Sequence, residues 1–196
     1  NAEEFHSKKV TLLKEPHTDP RVRHARRIAL EHASLIAKHA PTTNFEYLTA
    51  ESNLQGPAAR IQLIQHWPEL LPSEQLAYLD LLRRGIARNL YTGTRLKEIE
   101  ANLIPHFPNS DPAINQALAP MLIGMNEAKA VPITVKLLDD STDQHERILF
   151  LYHLRHAKAG WTVESRRIFF RILGTYDTFL GGRGLPQSLR KIRNEA

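Results

Sequence analysis

Ten histidines are the residues of this 196-residue chain whose chemistry raises the first question. Neutral imidazole is the commonest metal ligand, and it titrates close to neutral pH. Spacing answers most of that question. On one helix His24, His32 and His39 follow at steps of about two turns, about 10 to 12 Å, too far apart to share an ion. His153 and His156 fall one turn apart and can chelate together, yet His145, the next imidazole back, stands about two turns away. We read them as surface or half-buried histidines, and the sequence predicts no metal site. The lack of cysteine removes thiolate zinc sites, thiol nucleophiles, disulfides and covalent haem attachment together.

Other reactive patterns are thin. Met121 and Met125 stand one turn apart, a spacing that could face a haem, but flexible thioethers at helical spacing fill gaps in a core, where we place them. Gly181, Gly182, Arg183 and Gly184 could offer amides to a phosphate. They follow a helix and not a strand, which departs from dinucleotide and P-loop grammar, so they read as an interhelical turn. The carboxylate pairs Asp139 with Asp140 and Glu98 with Glu100 fall in turns or on polar helix faces, with no accompanying base, nucleophile or oxyanion motif. The sequence therefore predicts no catalytic residue, no cofactor and no enzyme activity.

Basic side chains are the strongest binding candidates. One set is Arg21, Arg23, Arg26 and Arg27; the other is Arg166, Arg167, Arg171, Arg183, Arg190, Lys191 and Arg193. With 26 Lys plus Arg against 21 Asp plus Glu the formal charge is +5, which favours acidic partners only where the cations share a face. Shared on one groove they could hold a phosphate backbone. Phe169, Phe170 and Tyr176 could stack bases but fit a buried stripe equally well. Docking to a protein partner, a neighbouring domain or subunit, is the main reading, and a nucleic-acid or anion-binding basic face is the alternative.

The elements that must position these residues are helical. Hydrophobic residues at 42% and charged residues at 24% suit a globular chain, and no apolar run approaches the roughly 20 residues of a membrane span. Ten helices can be drawn. A phrase recurs: Leu12, Leu13, turn, Asp19, Pro20, Val22; then Leu103, Ile104, turn, Asp111, Pro112, Ile114; then Leu137, Leu138, Asp139, Asp140, turn, Ile148. Asp caps free amides, and Pro suits the first helical position. The first helix spans about 3–14. The second carries Val22, Ala25, Ile28, Ala29, Ala33 and Ile36 as an apolar stripe, with its arginines largely off it.

Residues 41–55 read as an irregular joint. A hairpin follows from Pro57–Gln65, closed by Trp67 and Pro68, and a helix capped by Ser73 with Leu76, Leu79, Leu82 and Ile86 inward. Thr94–Ile104 pairs with Asp111–Met125, where Pro120 predicts a kink. Glu127–Leu138 pairs with Thr142–Lys158, ended by Gly160. Thr162 caps the next helix, and Pro186 opens a last basic one. Trp67 and Trp161 close corners between hairpins, each indole donating one hydrogen bond. Helical hairpins bury their faces against neighbours, so the expected fold is an all-α, right-handed α-solenoid of about five irregular hairpins, forming one domain over 1–196.

The run DPRVRHARRIALEH, with Asp, two residues, then Val and Arg opening a second helix, resembles bacterial HEAT-like repeats. The stretches LIPHFPNSDPAINQALAPMLIGM, VKLLDDSTDQHERILFLYHLRHAKAGWTVESRRIFFRIL and GGRGLPQSLRKIRNEA are similar to the HEAT-like region of large planctomycete and verrucomicrobial proteins. Those proteins are typically exported, with this region between a propeller-type or dehydrogenase-like domain and a c-type cytochrome domain. The haem-attachment motif is missing here, so redox activity is not implied. The resemblance implies a spacer or docking scaffold outside the cytoplasm. The start at Asn1 and the uncapped end at Ala196 are read as those of a piece of a longer chain.

Overall fold

A computed structural model describes residues 19–32, 45, 49, 52, 53, 55–175, 179–181 and 185–195, with backbone alone for 26, 27 and 29–32. The first predicted helix, most of the 41–55 joint, and Gly182, Arg183, Gly184 and Tyr176 lie outside the described residues. Those described are all-α, without a strand. They form two compact units, 1–95 and 96–196.

In the first unit α1 is Pro20–His32, α2 Pro57–Gln62, a 3₁₀ segment runs Leu63–Glu69, and α3 is Pro72–Ala87. Asp19 accepts from the Arg21 amide at 2.7 Å and starts α1 as its position before Pro20 predicts. Of the apolar stripe Val22 is half-buried while Ala25 and Ile28 are exposed; the side chain of Ala29, and all of Ala33 and Ile36, lie outside the described residues. Pro20, Arg23 and His24 line a cleft with residues of α3. Periodicity identifies an apolar stripe, but which stripe is covered depends on the neighbours.

Pro68 belongs to the 3₁₀ segment, not to a stop after α2. Ser73 is not the cap of α3 either. The helix begins one residue earlier at Pro72, and the Glu74 carboxylate accepts from the Leu71 amide at 2.9 Å. Tyr78, Leu79, Leu82 and Gly85 are its buried residues, whereas Leu76 and Ile86 are half-buried. Tyr78 donates from its hydroxyl to the Ile61 carbonyl at 3.1 Å and meets Trp67 edge-on at 6.3 Å, which fastens α2 and the 3₁₀ segment to α3.

Helix α3 ends in a Schellman turn. Asn89 takes φ 56°; its amide reaches the Ile86 carbonyl at 2.9 Å, and the Leu90 amide the Gly85 carbonyl at 3.0 Å. The same turn closes α5, where Asn126 has φ 65° and Glu127 donates back to Leu122 at 3.0 Å.

The second unit holds most of α4 (Thr94–Leu103), a 3₁₀ turn Ile104–His106, α5 (Pro112–Gly124), α6 (Ala130–Asp140), α7 (Gln144–Leu154), α8 (Val163–Leu173) and α9 (Leu185–Glu195). Asp111, Asp143 and Thr162 cap α5, α7 and α8 through their side chains. Pro120 lies inside a helix that runs through it. Helix α7 stops at Leu154, short of Lys158, and Gly160 lies beyond it in the loop at φ 84°. Helix α5 packs on α6 and α6 on α7, and α5 also meets α7 as α6 meets α8. Leu118, Leu122, Leu138, Phe150, Leu151 and Leu154 are fully buried between them, each worth about 1.5 to 3 kcal/mol of transfer free energy.

Candidate functional site

The second unit carries a cleft of about 230 Å³ between the end of α7, the loop after it, and α8. Its cations are Arg155, Lys158 and Arg166; its aromatic wall is Trp161, Phe169 and Phe170. The loop is held in place locally. Trp161 donates from its indole to the Ala157 carbonyl at 2.9 Å, as expected of a corner tryptophan. Thr162 and Ser165 exchange side-chain and backbone bonds at 2.8 and 3.0 Å, a reciprocal cap that fixes where α8 starts.

From there three rings run outward. Trp161 meets Phe169 edge-on at 5.3 Å, and Phe169 meets Phe170 edge-on at 5.3 Å. Phe169 is buried while Phe170 is 53% exposed. Successive residues on a helix point about 100° apart, and here one of two adjacent rings enters the core while the other stays outside. Phe170 therefore departs from the buried stripe, and Val163, two turns earlier on α8, is exposed with it.

Arg155 forms the inner end. Its side chain is 5% exposed, with Nε 2.7 Å from Glu195 Oε2 on α9. That carboxylate sits off the N–H direction, leaving a close charge pair without a hydrogen bond to the buried Nε. The guanidinium carbon lies 3.6 Å over the Tyr152 ring, a cation–π arrangement. Tyr152 also meets His153 and His156 edge-on, at 5.1 and 6.3 Å. Burial first, then the neighbouring Arg155 and His156 charges, pushes the His153 pKa down.

The basic residues named from sequence divide between the two units. Arg21 is exposed and Arg23 half-buried on α1; the side chains of Arg26 and Arg27, and all of Arg183, lie outside the described residues. On the second unit Arg167 pairs with Glu164 at 2.8 Å, Arg171 with Asp139 at 2.7 Å and Lys191 with Glu195 at 3.8 Å. Arg166 has no ion pair among the described residues, and it alone of the named set lines the cleft. Arg155 and Lys158 were not singled out in the sequence, because both fall near a helix end whose direction only packing fixes.

Among the described residues no three histidines or carboxylates come together in a metal-holding arrangement. Met121 and Met125 are buried, as core methionines are. Glu100 departs from the polar-face expectation: it is buried and takes both its bonds from Lys97, at 2.9 and 3.1 Å. Asp139 and Asp140 are bound to Arg171 and Lys136. No helix among the described residues is long and apolar enough to cross a membrane. Comparison with protein-family models, curated proteins and solved structures gives no match.

Proposed function

We propose that the chain is a non-catalytic interaction and spacer scaffold, an α-solenoid of HEAT-like hairpins that links or docks domains of a larger exported redox-type protein. The solenoid reading is supported by the packing of α5 to α8, in which α6 meets both α5 and α7 and each of α5 and α6 meets the helix next but one, as stacked hairpins do. The exported setting and the place among redox-type domains rest on the sequence resemblance.

The observation that carries the interaction reading is the exposed Phe170 beside Arg166 on the rim of the Trp161 cleft. Aromatic and arginine side chains around a partly enclosed pocket are the composition of interface anchor points. The partner that fits is an acidic protein segment carrying one apolar or aromatic anchor. A polyanion groove is less well supported, since Arg167, Arg171 and Lys191 already face carboxylates.

The test follows Trp161 fluorescence while a Glu-rich peptide bearing a single Phe, and separately a DNA duplex, is titrated into the intact chain. Peptide binding that is lost in Arg166→Glu and in Phe170→Ala supports the scaffold reading. DNA binding that falls steeply with salt and leaves the peptide without effect replaces it with the nucleic-acid alternative.

A further inference from the structure

The first unit contains a cleft of about 410 Å³ whose polar side is unusual. Arg60, Arg84 and Arg88 line it against one carboxylate, Asp80. That carboxylate is already committed. It accepts from Arg83 at 2.7 Å and from Arg84, and although burial alone would raise its pKa, those two guanidiniums hold it below the usual range. Arg60 and Arg88 have no carboxylate partner among the described residues.

Among the described residues of this unit, the buried Arg60 Nε, Thr49 Oγ1 and Tyr91 Oη make no hydrogen bond of good geometry, although Arg60 approaches the Tyr91 hydroxyl. Thr49 is 2% exposed and Tyr91 3% exposed. Arg60 and Thr49 line the cleft directly, and Tyr91 lies behind Gly85, another lining residue, where a Cβ would collide with its ring. Burial raises the Tyr91 pKa, with the charge of the Arg60 guanidinium and its side-chain interaction with the hydroxyl pulling it partly back, so the hydroxyl keeps its proton at neutral pH. The Arg60 Nε–H only donates, and the two hydroxyls can donate as well as accept. A bound acceptor would satisfy the buried Nε–H.

The same lining includes the apolar side chains of Phe45, Leu81 and Leu90. Toward α1 the cleft continues into a second one of about 350 Å³, which shares Phe45, Thr49 and Arg84 and adds Arg23 and His24. A buried Nε–H without an acceptor, three guanidiniums against one carboxylate among the described residues, and apolar side chains in the same lining select a specific chemistry. A phosphate or carboxylate only accepts hydrogen bonds and matches the planar arginine fork.

We propose that this cleft is a binding site for a small organic oxyanion, a phosphate monoester or a carboxylate, with its head on Arg60 and Arg88 and its apolar body against Phe45, Leu81 and Leu90. It lies wholly within the first unit and is independent of the Trp161 surface.

Isothermal titration of the intact chain with phenyl phosphate, benzoate and inorganic phosphate at matched ionic strength tests it. Phenyl phosphate or benzoate should bind at a single site, about tenfold more weakly in Arg60→Gln and in Arg88→Gln, as expected for losing a charged hydrogen bond. Lys129→Gln, an exposed position in the other unit, should bind as the parent does. Arg88 is exposed, so its substitution leaves the fold intact and gives an answer even where Arg60→Gln unfolds. A preference for phenyl phosphate assigns a phosphate head, and one for benzoate a carboxylate head; either supports the site. Absence of binding by all three anions, or parental affinity in Arg88→Gln, overturns it, and inorganic phosphate binding as tightly as phenyl phosphate overturns the role of the apolar side chains.

Discussion

Gly160 lies directly against the backbone of Ala128: a Cβ built on it would occupy the space of the Ala128 carbonyl oxygen. Gly160 belongs to the loop between α7 and α8, and Ala128 to the loop between α5 and α6, so the loops that follow α5 and α7 touch. The residue also has φ 84°, a conformation costing a side-chain-bearing residue about 1 to 2 kcal/mol. Gly160→Ala should therefore destabilise the chain by about 2 kcal/mol or more once the collision is added. Gly124 gives the contrast. It closes α5 with nothing near its Cβ position, and Gly124→Ala should stabilise by about 0.5 to 1 kcal/mol. Urea unfolding of both variants decides the matter: equal midpoints would remove the loop contact as a packing constraint.

Helix starts should be equally readable in stability. Asp111 accepts from the Ala113 amide at 2.8 Å, so Asp111→Ala should cost about 1 kcal/mol, with Asp111→Asn recovering most of it. Thr162→Ala removes one half of a reciprocal cap and should cost at least as much. Thermal unfolding that leaves Asp111→Ala unchanged would mean that packing alone fixes the start of α5.

These caps were legible because they are local. Asp before Pro, and Thr three residues before Ser165, declare a helix start within four residues of chain. The cleft beside α1 was not legible: Arg23 and His24 line it together with residues of α3, and no property of α1 alone encodes that neighbour. Phe170 was not legible as exposed: both rings of the adjacent pair fit a helix stripe, and it is Phe169 that packs against Trp161. Thr49, Arg60 and Tyr91 come from three separate stretches of chain, and only packing brings Arg60 and Tyr91 together.

Acid should weaken the second unit through His153. Burial lowers its pKa in the fold, and His106 is lowered by burial as well. Above about pH 6.5, the unfolded value, both states are neutral and stability is complete. As pH falls below that value the unfolded chain takes up a proton that the fold resists, so stability declines until the lowered folded pKa is passed. His153→Gln should flatten part of the decline between about pH 7 and pH 5. Unfolding midpoints of variant and parent that fall in parallel over that range would assign the slope to other groups.

Phe169 and Phe170 are neighbours in sequence with opposite roles, and their variants should separate cleanly. Phe169 is 1% exposed and wedged beside Trp161, so Phe169→Ala opens a cavity and should cost about 3 to 5 kcal/mol. Phe170 is 53% exposed, and Phe170→Ala should change stability by no more than about 0.5 kcal/mol. On the scaffold reading the same substitution should weaken an acidic, Phe-bearing peptide about tenfold or more, as loss of an anchor residue does. Arg166→Glu should act similarly and lessen the salt dependence, because a cation on the rim contributes through charge. The pair of measurements is discriminating. A Phe170→Ala chain that is stable yet binds the peptide as the parent does would reduce the exposed ring to surface decoration, whereas a stable chain with lost binding makes the cleft rim the contact surface.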